Sequence, residues 1–329
     1  MIGNTWEIQV GDCRLLMREL GDNSIDAVVC DPPYGIAFMD KDFDKLGTPQ
    51  EQQEFHRSWA AEAFRVLKPG GHIVAFSGSR SYHRAAAGIE DAGFEVRDQL
   101  LWIYGSGFPK SANHLKPAHE PIVLGRKPMD GVLHENLLAH DIGGLNIDAS
   151  RIPAEIGRWP ANVILQHSEG CQERSCVEGC PVRELDEQSG VRTSGTGAVK
   201  RQTAKDAEGN TGSAYGAESR PAGTPMISYG DTGGASRYFK KFHYVAKASR
   251  ADRGKGNTHP TVKPTKLMHY LIRMVAPKGA LILDPFMGSG STGLAATRNG
   301  YRFIGMEMSA DYAEIARRRI SPPMQSTLF

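Results

Sequence analysis

The stretch Leu281–Gly293, LILDPFMGSGSTG, is an apolar run followed directly by a glycine-rich turn. Its first residues predict a buried strand, and Gly288, Gly290 and Gly293 fit the spacing G-x-G-x-x-G before a helix that we expect over residues 294–298. Glycines at such a turn let the backbone approach a ligand closely, and the helix N-terminus offers N–H groups to an anion. The stretch therefore predicts a ligand site at the carboxyl end of a strand.

An acidic residue stands at the end of the next predicted strand. Glu307 follows Arg302–Met306 and lies nineteen residues after Gly288, where a carboxylate accepts hydrogen bonds from ribose hydroxyls. The ligand is therefore expected to contain a nucleoside. A dinucleotide oxidoreductase shares both features, but its nucleotide fold continues with several more strands, whereas only residues 308–329 follow here. The other strands must precede the glycine turn, an order that resembles a circular permutation.

Short apolar runs elsewhere in the chain predict the rest of the sheet. Helical patterns over Gln50–Leu67 and Tyr82–Ala92 lie between some of these runs. Such alternation predicts an α/β fold with a largely parallel sheet covered by helices on both faces. The predicted strands are Trp6–Val10, Ile25–Cys30, His72–Phe76, Gln99–Tyr104, Pro121–Leu124, Ala280–Leu283 and Arg302–Met306.

The tetrapeptide Asp31-Pro32-Pro33-Tyr34 directly follows the second predicted strand. Two successive prolines fix φ and lack N–H donors, so the turn is rigid and the Pro32 carbonyl is left to accept hydrogen bonds. A carboxylate and an aromatic ring are then held at a strand end. An ordinary strand-terminating turn is the alternative interpretation. For residues 35–47, which follow, a mobile flap and a plain surface loop are equally favoured.

Length and composition limit the class of protein. A chain of 329 residues, 40% of them hydrophobic and 23% charged, can form one large α/β domain with an insertion. No apolar run approaches the ~18 residues that a membrane span requires. The first residues carry no export signal, so we expect a soluble, cytoplasmic protein without a membrane partner.

Residues 191–260 are basic, with twelve Lys or Arg against five Asp or Glu, and rich in Gly, Ser and Thr. Positive charge on long loops suits a polyanion such as nucleic acid, and a solvated surface insertion is the alternative. Aromatic residues among these cations predict either contacts to nucleic acid or a core strand of the insertion. They are Tyr229, Tyr238, Phe239, Phe242 and Tyr244.

Four potential metal ligands lie within fourteen residues: His167, Cys171, Cys176 and Cys180. Cysteine and histidine in this number are typical of structural zinc sites. The spacings are looser than paired Cys-x2-Cys, so reduced thiols in a loop are an equal alternative. Zinc bound here would staple the insertion and would not take part in catalysis.

Three motifs resemble the landmarks of the β-class amino-methyltransferases of DNA: residues 31–34, residues 284–293 and His259–Pro264 between them. In that family the catalytic half comes first, a target-recognition insertion follows, and the half that binds S-adenosylmethionine comes last. The resemblance covers residues 5–127 and 257–320, and residues 107–111 and 185–190 are similar to phage and prophage members.

The resemblance implies a Rossmann-like, seven-stranded methyltransferase sheet with one antiparallel strand, circularly permuted. Its catalytic half would be residues 1–127, the target-recognition insertion 128–256 and the cofactor half 257–329. The implied activity is adenine-N6 methylation of double-stranded DNA. Asp31 and the Pro32 carbonyl would accept the two amino hydrogens, and Tyr34 would stack on the flipped-out base. A homodimer is compatible with the resemblance.

The resemblance also implies residues that bind S-adenosylmethionine. They are Asp284 for the amino group, Phe286, Gly288, Ser289 and Gly290 for the methionine portion, Glu307 for the ribose, Asp12 for the adenine edge, and Thr261 and Lys263, with Lys263 pairing with the carboxylate. Each has a structural alternative. Asp12 and Asp284 could cap turns, Glu307 could be a solvated strand end, and Lys263 could lie in a helix-entry turn.

Residue types separate the related chemistries. Methylation of cytosine C5 needs a nucleophilic cysteine in Pro-Cys, and here only the reversed Cys180-Pro181 occurs. Cytosine-N4 enzymes more often carry Ser before Pro-Pro, so Asp31 favours adenine and leaves cytosine-N4 as an alternative. Asn-Pro-Pro-Tyr enzymes that methylate glutamine or RNA guanine are unpermuted. A non-catalytic DNA-binding relative is a further alternative, although it would not need to retain Asp31 and Tyr34.

Overall fold

The structure is a computed structural model that describes residues 5–321 apart from 106, 108, 110, 153–156, 173–174, 195–198, 201–224, 227–228, 243–252 and 254–255. The strands of its main sheet are β1 (Trp6–Val10), β2 (Ile25–Cys30), β3 (Leu67–Phe76), β4 (Glu95–Ile103), β5 (His119–Arg126), β6 (Val163–Gln166), β7 (Lys240–Phe242), β8 (Leu281–Asp284) and β9 (Arg302–Glu307). The α-helices are α1 (Cys13–Leu16), α2 (Pro49–Val66), α3 (Tyr82–Asp91), α4 (Leu133–His140), α5 (Ile147–Ser150), α6 (Pro181–Ser189), α7 (Thr265–Val275), α8 (Ser291–Thr297) and α9 (Ala310–Ile320).

The main sheet runs in the order β1-β9-β8-β2-β3-β5-β4-β6-β7. Its pairings are parallel except for those of β5, which is antiparallel to both β3 and β4. The mostly parallel α/β sheet predicted from the sequence is therefore confirmed, and all seven predicted strands are present. The described residues add β6 and β7 at the edge beyond β4, so the sheet has nine strands. These two are too short to show a periodicity within turn-rich sequence.

The two central strands β2 and β8 are buried on both faces. Val29 packs in a cluster with α7 and α8, whereas its neighbour Val28 packs with α2 on the other face. Strands of this kind read as continuous apolar runs because neither face meets water. Helices on both sides of the sheet therefore fix the position of the residues that follow β2 and β8.

Helix α2 shows how local sequence sets an element. Thr48 and Glu51 form a capping box, in which the Thr48 N–H donates to Glu51 Oε2 at 2.6 Å, and Pro49 occupies the first turn. The helix buries Trp59 completely against the sheet. The helix ends at Val66, one residue before the predicted end, and β3 begins at Leu67, five residues before the predicted start at His72.

Strand β8 pairs in parallel with β2, with Ile282 opposite Ala27 and Leu283 opposite Val28. The carboxyl ends of parallel strands meet at one edge of a sheet. The glycine turn after β8 and the tetrapeptide after β2 therefore lie side by side, although they are about 250 residues apart in the chain. None of the described helices is both long and apolar enough to cross a membrane.

Candidate active site

A cavity of about 2150 Å³ lies along the carboxyl edge of the central strands. It is lined by every catalytic and cofactor residue predicted from the sequence except Gly290: Asp12, Asp31, Pro32, Pro33, Tyr34, Thr261, Lys263, Asp284, Phe286, Gly288, Ser289 and Glu307. The two blocks of strands thus contribute to a single site.

The glycine turn is tight for both conformational and steric reasons. Gly288 and Gly290 adopt φ of 53° and 81°, in the left-handed region that other residues rarely occupy. A Cβ on Gly288 would lie 2.8 Å from His259 Nε2, and one on Gly290 would lie 2.8 Å from the Ala316 Cβ. Helix α8 starts directly after Gly290, earlier than predicted. The two glycines therefore let the turn pack closely against neighbouring side chains, and Gly288 lies at the cavity wall.

Asp284 ends β8 and is 2% exposed. It accepts hydrogen bonds from the Thr292 hydroxyl at 2.5 Å and from the Phe286 N–H at 3.0 Å. Burial raises the pKa of its carboxyl to about 7, with a smaller contribution from the charges of Asp31 and Glu307. Asp284 therefore caps the turn, as the structural alternative predicts. Because the pKa of its carboxyl is near neutral, a cation bound beside it would favour loss of the carboxyl proton.

Glu307 connects β9 to the glycine turn and to the start of α9. Its carboxylate accepts the Gly288 N–H at 2.9 Å and the Ser309 N–H at 2.9 Å. Burial raises the pKa of this carboxyl, although the backbone donors oppose the rise. A solvated strand end, the alternative interpretation, does not describe this environment.

Asp12 caps α1, accepting the Arg14 N–H at 2.9 Å, and forms an ion pair of 2.5 Å with the Arg14 guanidinium. Hydrogen bonding to Arg14 lowers the pKa of Asp12. The structural alternative for Asp12 is therefore present in the structure, and the side chain also lines the cavity.

Asp31 lies at the centre of a hydrogen-bonded cluster. Its Oδ1 accepts the Tyr34 hydroxyl at 2.7 Å, and its Oδ2 accepts the Lys263 ammonium at 2.5 Å. Glu120, from β5, accepts the same Tyr34 hydroxyl at 3.1 Å and lies 3.3 Å from Lys263 Nζ. Two carboxylates therefore share one ammonium and one phenol.

Charge and burial keep both donors of this cluster protonated. Burial opposes the charge of Lys263, but the carboxylates of Asp31 and Glu120 outweigh it and raise the pKa of the ammonium. Burial, followed by the same two carboxylates, raises the pKa of Tyr34 well above its ordinary value. At neutral pH Asp31 therefore accepts from both groups.

The structure shows two features of this site that the sequence did not predict. The Lys263 ammonium contacts Asp31, Tyr34 and Glu120; its pairing with a cofactor carboxylate stays a prediction. Glu120 was not predicted at all. Its sequence signal is an acidic residue near the start of an otherwise apolar strand, and in the antiparallel pairing of β5 with β4 it lies opposite Trp102, beside the cavity.

A buried aspartate organises the segment after Tyr34. Asp44 is 2% exposed, and its carboxylate accepts four backbone N–H groups at 2.6–3.1 Å, those of Tyr34, Gly35, Ile36 and Phe38. The segment predicted as a flap or a loop is thus folded around one side chain. Sequence reasoning missed Asp44 because a loop aspartate has no signature of burial.

The insertion is described only in part. Arg158 lies between the rings of Tyr229, at 4.5 Å, and Tyr238, at 4.4 Å, and pairs with Asp231 at 2.5 Å. Phe242 lies in β7 and packs against the core, which agrees with the core-strand alternative for that residue. Tyr244 and half of the twelve basic residues fall outside the described residues, so contact of this region with nucleic acid stays a prediction.

The four predicted zinc ligands converge. One ligand atom from each of His167, Cys171, Cys176 and Cys180 lies within 4.8 Å of all the others. His167 and Cys180 are buried, and Cys171 and Cys176 are partly buried.

Comparison with known proteins identifies relatives. The N6/N4 family model, described as DNA methylase, matches residues 25–318. The chain is 23% identical over 323 residues to the type II methyltransferase M2.DpnII of Streptococcus pneumoniae, covering 94% of this chain and 87% of that protein. It is 24% identical to M.HindIII of Haemophilus influenzae, covering 92% and 91%. The solved PvuII DNA methyltransferase, described as cytosine-N4-specific, shares the fold, with a TM-score of 0.57 at 18% identity, covering 98% of this chain and 88% of that one.

Proposed function

We propose that this chain, which belongs to the N6/N4 family of DNA methylases, methylates the exocyclic N6 of adenine in double-stranded DNA. S-adenosylmethionine is the cofactor of this enzyme, and DNA is its substrate. The choice of adenine rests on Asp31 before Pro32 and Pro33. The observation that carries the proposal is the position of Asp31, directly after β2, in the same cavity as the glycine turn after β8.

The chain order supports a permuted arrangement. We assign residues 1–127 to the catalytic half, 128–256 to a target-recognition insertion and 257–329 to the cofactor half. In the structure β1 pairs with β9, and β8 pairs with β2, so the two strands of the last segment lie between β1 and β2 of the first segment in one sheet. Neither segment could form that part of the sheet without the other.

The residues around the glycine turn fit S-adenosylmethionine. The absence of a side chain at Gly288 lets the turn pack closely on His259 at the cavity wall, the carboxyl of Asp284 suits an ammonium group, and Glu307 lies where a ribose hydroxyl can donate to it. Phe286 adds an apolar wall packed on Trp59, with ring centroids 5.2 Å apart. When bound, the cofactor supplies an electrophilic methyl group on a sulfonium.

Asp31 prepares the target nitrogen. The lone pair of an exocyclic amine on adenine is delocalised into the ring, so the nitrogen is a poor nucleophile. If Asp31 and the Pro32 carbonyl accept the two amino hydrogens, the nitrogen becomes more tetrahedral and its lone pair is localised. The nitrogen that gains a methyl group must also lose one proton, and the Asp31 carboxylate is placed to accept it.

The cluster around Asp31 must rearrange to admit the amine. Both Asp31 oxygens accept hydrogen bonds from Tyr34 and Lys263 in the structure, and each of these donors already reaches Glu120. A small movement of either donor toward Glu120 frees an Asp31 oxygen without leaving a buried donor unpaired. Glu120 is therefore a positioning residue in this proposal, and Tyr34 is the ring proposed to stack on the flipped base.

The product nucleoside tests the proposal. The full chain is incubated with methyl-labelled S-adenosylmethionine and mixed-sequence DNA, and the DNA is then hydrolysed to nucleosides. Labelled N6-methyladenine is the expected product. Labelled N4-methylcytosine would show that the target base is cytosine and not adenine. Binding of cofactor and DNA without any labelled nucleoside would indicate a non-catalytic relative.

A further inference from the structure

A second site lies at the far edge of the sheet, outside the cavity. His167 follows β6, Cys180 is the N-cap residue of α6, and Cys171 and Cys176 lie in the turn between them. The Nδ1 of His167 is 3.3 Å from Cys176 Sγ and 3.7 Å from Cys180 Sγ. Four potential metal ligands thus lie together, contributed by the end of β6, the turn that follows it and the start of α6.

We propose that these four side chains bind a structural zinc ion. In a tetrahedral site, Zn–S bonds of about 2.3 Å and Zn–N bonds of about 2.0 Å place neighbouring ligand atoms about 3.5–3.8 Å apart. The distances from His167 Nδ1 to the two sulfur atoms lie close to that range, and no two of the four ligand atoms are more than 4.8 Å apart. The ligand atoms therefore need only about 1 Å of closure around a central ion.

The donor set selects the metal and its role. Three thiolates and one imidazole are soft ligands that favour zinc over magnesium or calcium. Four protein ligands fill a tetrahedral shell and leave no open position for substrate, which distinguishes a structural site from a catalytic one. On binding, three Sγ–H protons pass to solvent as three Zn–S bonds form, and no sulfur is oxidised.

The local packing explains why a cross-link is useful here. Among the described residues, the apolar cluster at this edge has three buried members, Leu165, Cys180 and Val182. A core of that size provides little stability by itself. A metal that joins the end of β6 to the start of α6 would hold this edge together, and the His167 N–H also donates to the Phe242 carbonyl of β7 at 2.9 Å.

The cross-link would extend into the insertion through α6. Asp186 of that helix accepts the Ser236 N–H at 2.7 Å and the Ser236 hydroxyl at 2.6 Å. Zinc would therefore fix the position of α6, and through it residues 235–238, relative to the central sheet. None of the four ligands lines the cofactor cavity, although Glu169 between His167 and Cys171 does. Metal content therefore reports on the zinc site independently of the proposed methyl transfer.

The test is metal analysis of the full chain purified without chelator. We expect about one equivalent of zinc by mass spectrometry. X-ray absorption at the zinc edge should show three sulfur ligands and one nitrogen ligand. Cys176→Ala should lower the zinc content at least tenfold. Cys13 lies in the core cluster around α2, so Cys13→Ala should leave the zinc content unchanged.

Two further readouts keep the test valid if Cys176→Ala fails to fold. Cobalt added to metal-free protein should give the visible absorption of a tetrahedral thiolate site. Zinc removal should increase hydrogen exchange in residues 163–189 and leave S-adenosylmethionine binding within twofold. Less than a tenth of an equivalent of zinc, or a zinc edge with only oxygen and nitrogen ligands, would overturn the proposal in favour of reduced thiols.

Discussion

The buried carboxyl of Asp284 makes the stability of the protein depend on pH in a defined direction. Its pKa is raised from 3.8 to about 7 by burial. Since the pKa in the folded state lies above that in the unfolded state, ionisation of Asp284 lowers the free energy of unfolding. This penalty is absent below about pH 4, grows as the pH rises, and is complete above about pH 7. At 1.36 kcal/mol per pKa unit, the full penalty is about 4 kcal/mol.

Asp284→Asn removes this titration while keeping the shape and a hydrogen-bonding side chain. The variant should therefore gain up to about 4 kcal/mol in unfolding free energy relative to wild type as the pH rises from 4 to 8. Urea unfolding at a series of pH values, without cofactor, measures the difference. Other buried groups such as His56 and His72 are common to both proteins and cancel in the comparison. Parallel stability curves for wild type and variant would refute the reasoning.

The same carboxyl links cofactor binding to proton release. If Asp284 pairs with the ammonium of S-adenosylmethionine, binding lowers its pKa and about one proton leaves at pH 6. Calorimetry in buffers of different ionisation enthalpy counts that proton. Asp284→Asn should release none from this position, and equal proton release from both proteins would contradict the assignment.

Three further predictions follow from contacts around the cavity. Gly288→Ala should weaken cofactor binding at least about tenfold, because an alanine there must adopt a left-handed φ, which costs about 1–2 kcal/mol, and its Cβ would clash with His259. Gly21→Ala, with open space around it, should not weaken binding. Equal dissociation constants for the two variants would contradict this prediction. Asp44→Ala should lower the unfolding free energy by about 3 kcal/mol, because four backbone N–H groups lose their acceptor. The side chain of Asp42 is 97% exposed, so Asp42→Ala should change the unfolding free energy by less than about 0.5 kcal/mol. Similar denaturant midpoints for the two variants would exclude the role of Asp44. Glu120→Gln should lower kcat about tenfold and leave cofactor affinity unchanged, because it removes the negative charge that draws Lys263 away from Asp31. The same variant should shift the pH profile of kcat, which a purely structural role would not do.

The central sheet could be predicted because its strands are apolar throughout. Strands β2 and β8 are buried on both faces, so each gives a short apolar run bounded by turn residues. The strands β6 and β7, of four and three residues, give no such run. Their pairing depends on the free edge of β4, which is a tertiary effect that a local pattern does not contain.

The candidate site could be predicted where a residue lies within a motif. Asp31, Gly288 and Glu307 are read from spacing relative to strands, and all three line one cavity. Glu120 and Asp44 have no such spacing, because the contacts that define them come from Lys263 and from backbone N–H groups that fold toward them. The contacts of Lys263 with Asp31 and Glu120 could not be read from its motif for the same reason, since a motif fixes a residue type but not its partner.

Comparing turnover with cofactor affinity in Asp31→Ala tests the central claim most directly. The account predicts a dissociation constant for S-adenosylmethionine within about twofold of wild type and a kcat lower by at least about a hundredfold, because the variant keeps the glycine turn and loses the group that localises the amine lone pair. Asp91→Ala, an exposed carboxylate at the end of α3, serves as the matched control and should leave both unchanged. Turnover by Asp31→Ala at the wild-type rate would contradict the account.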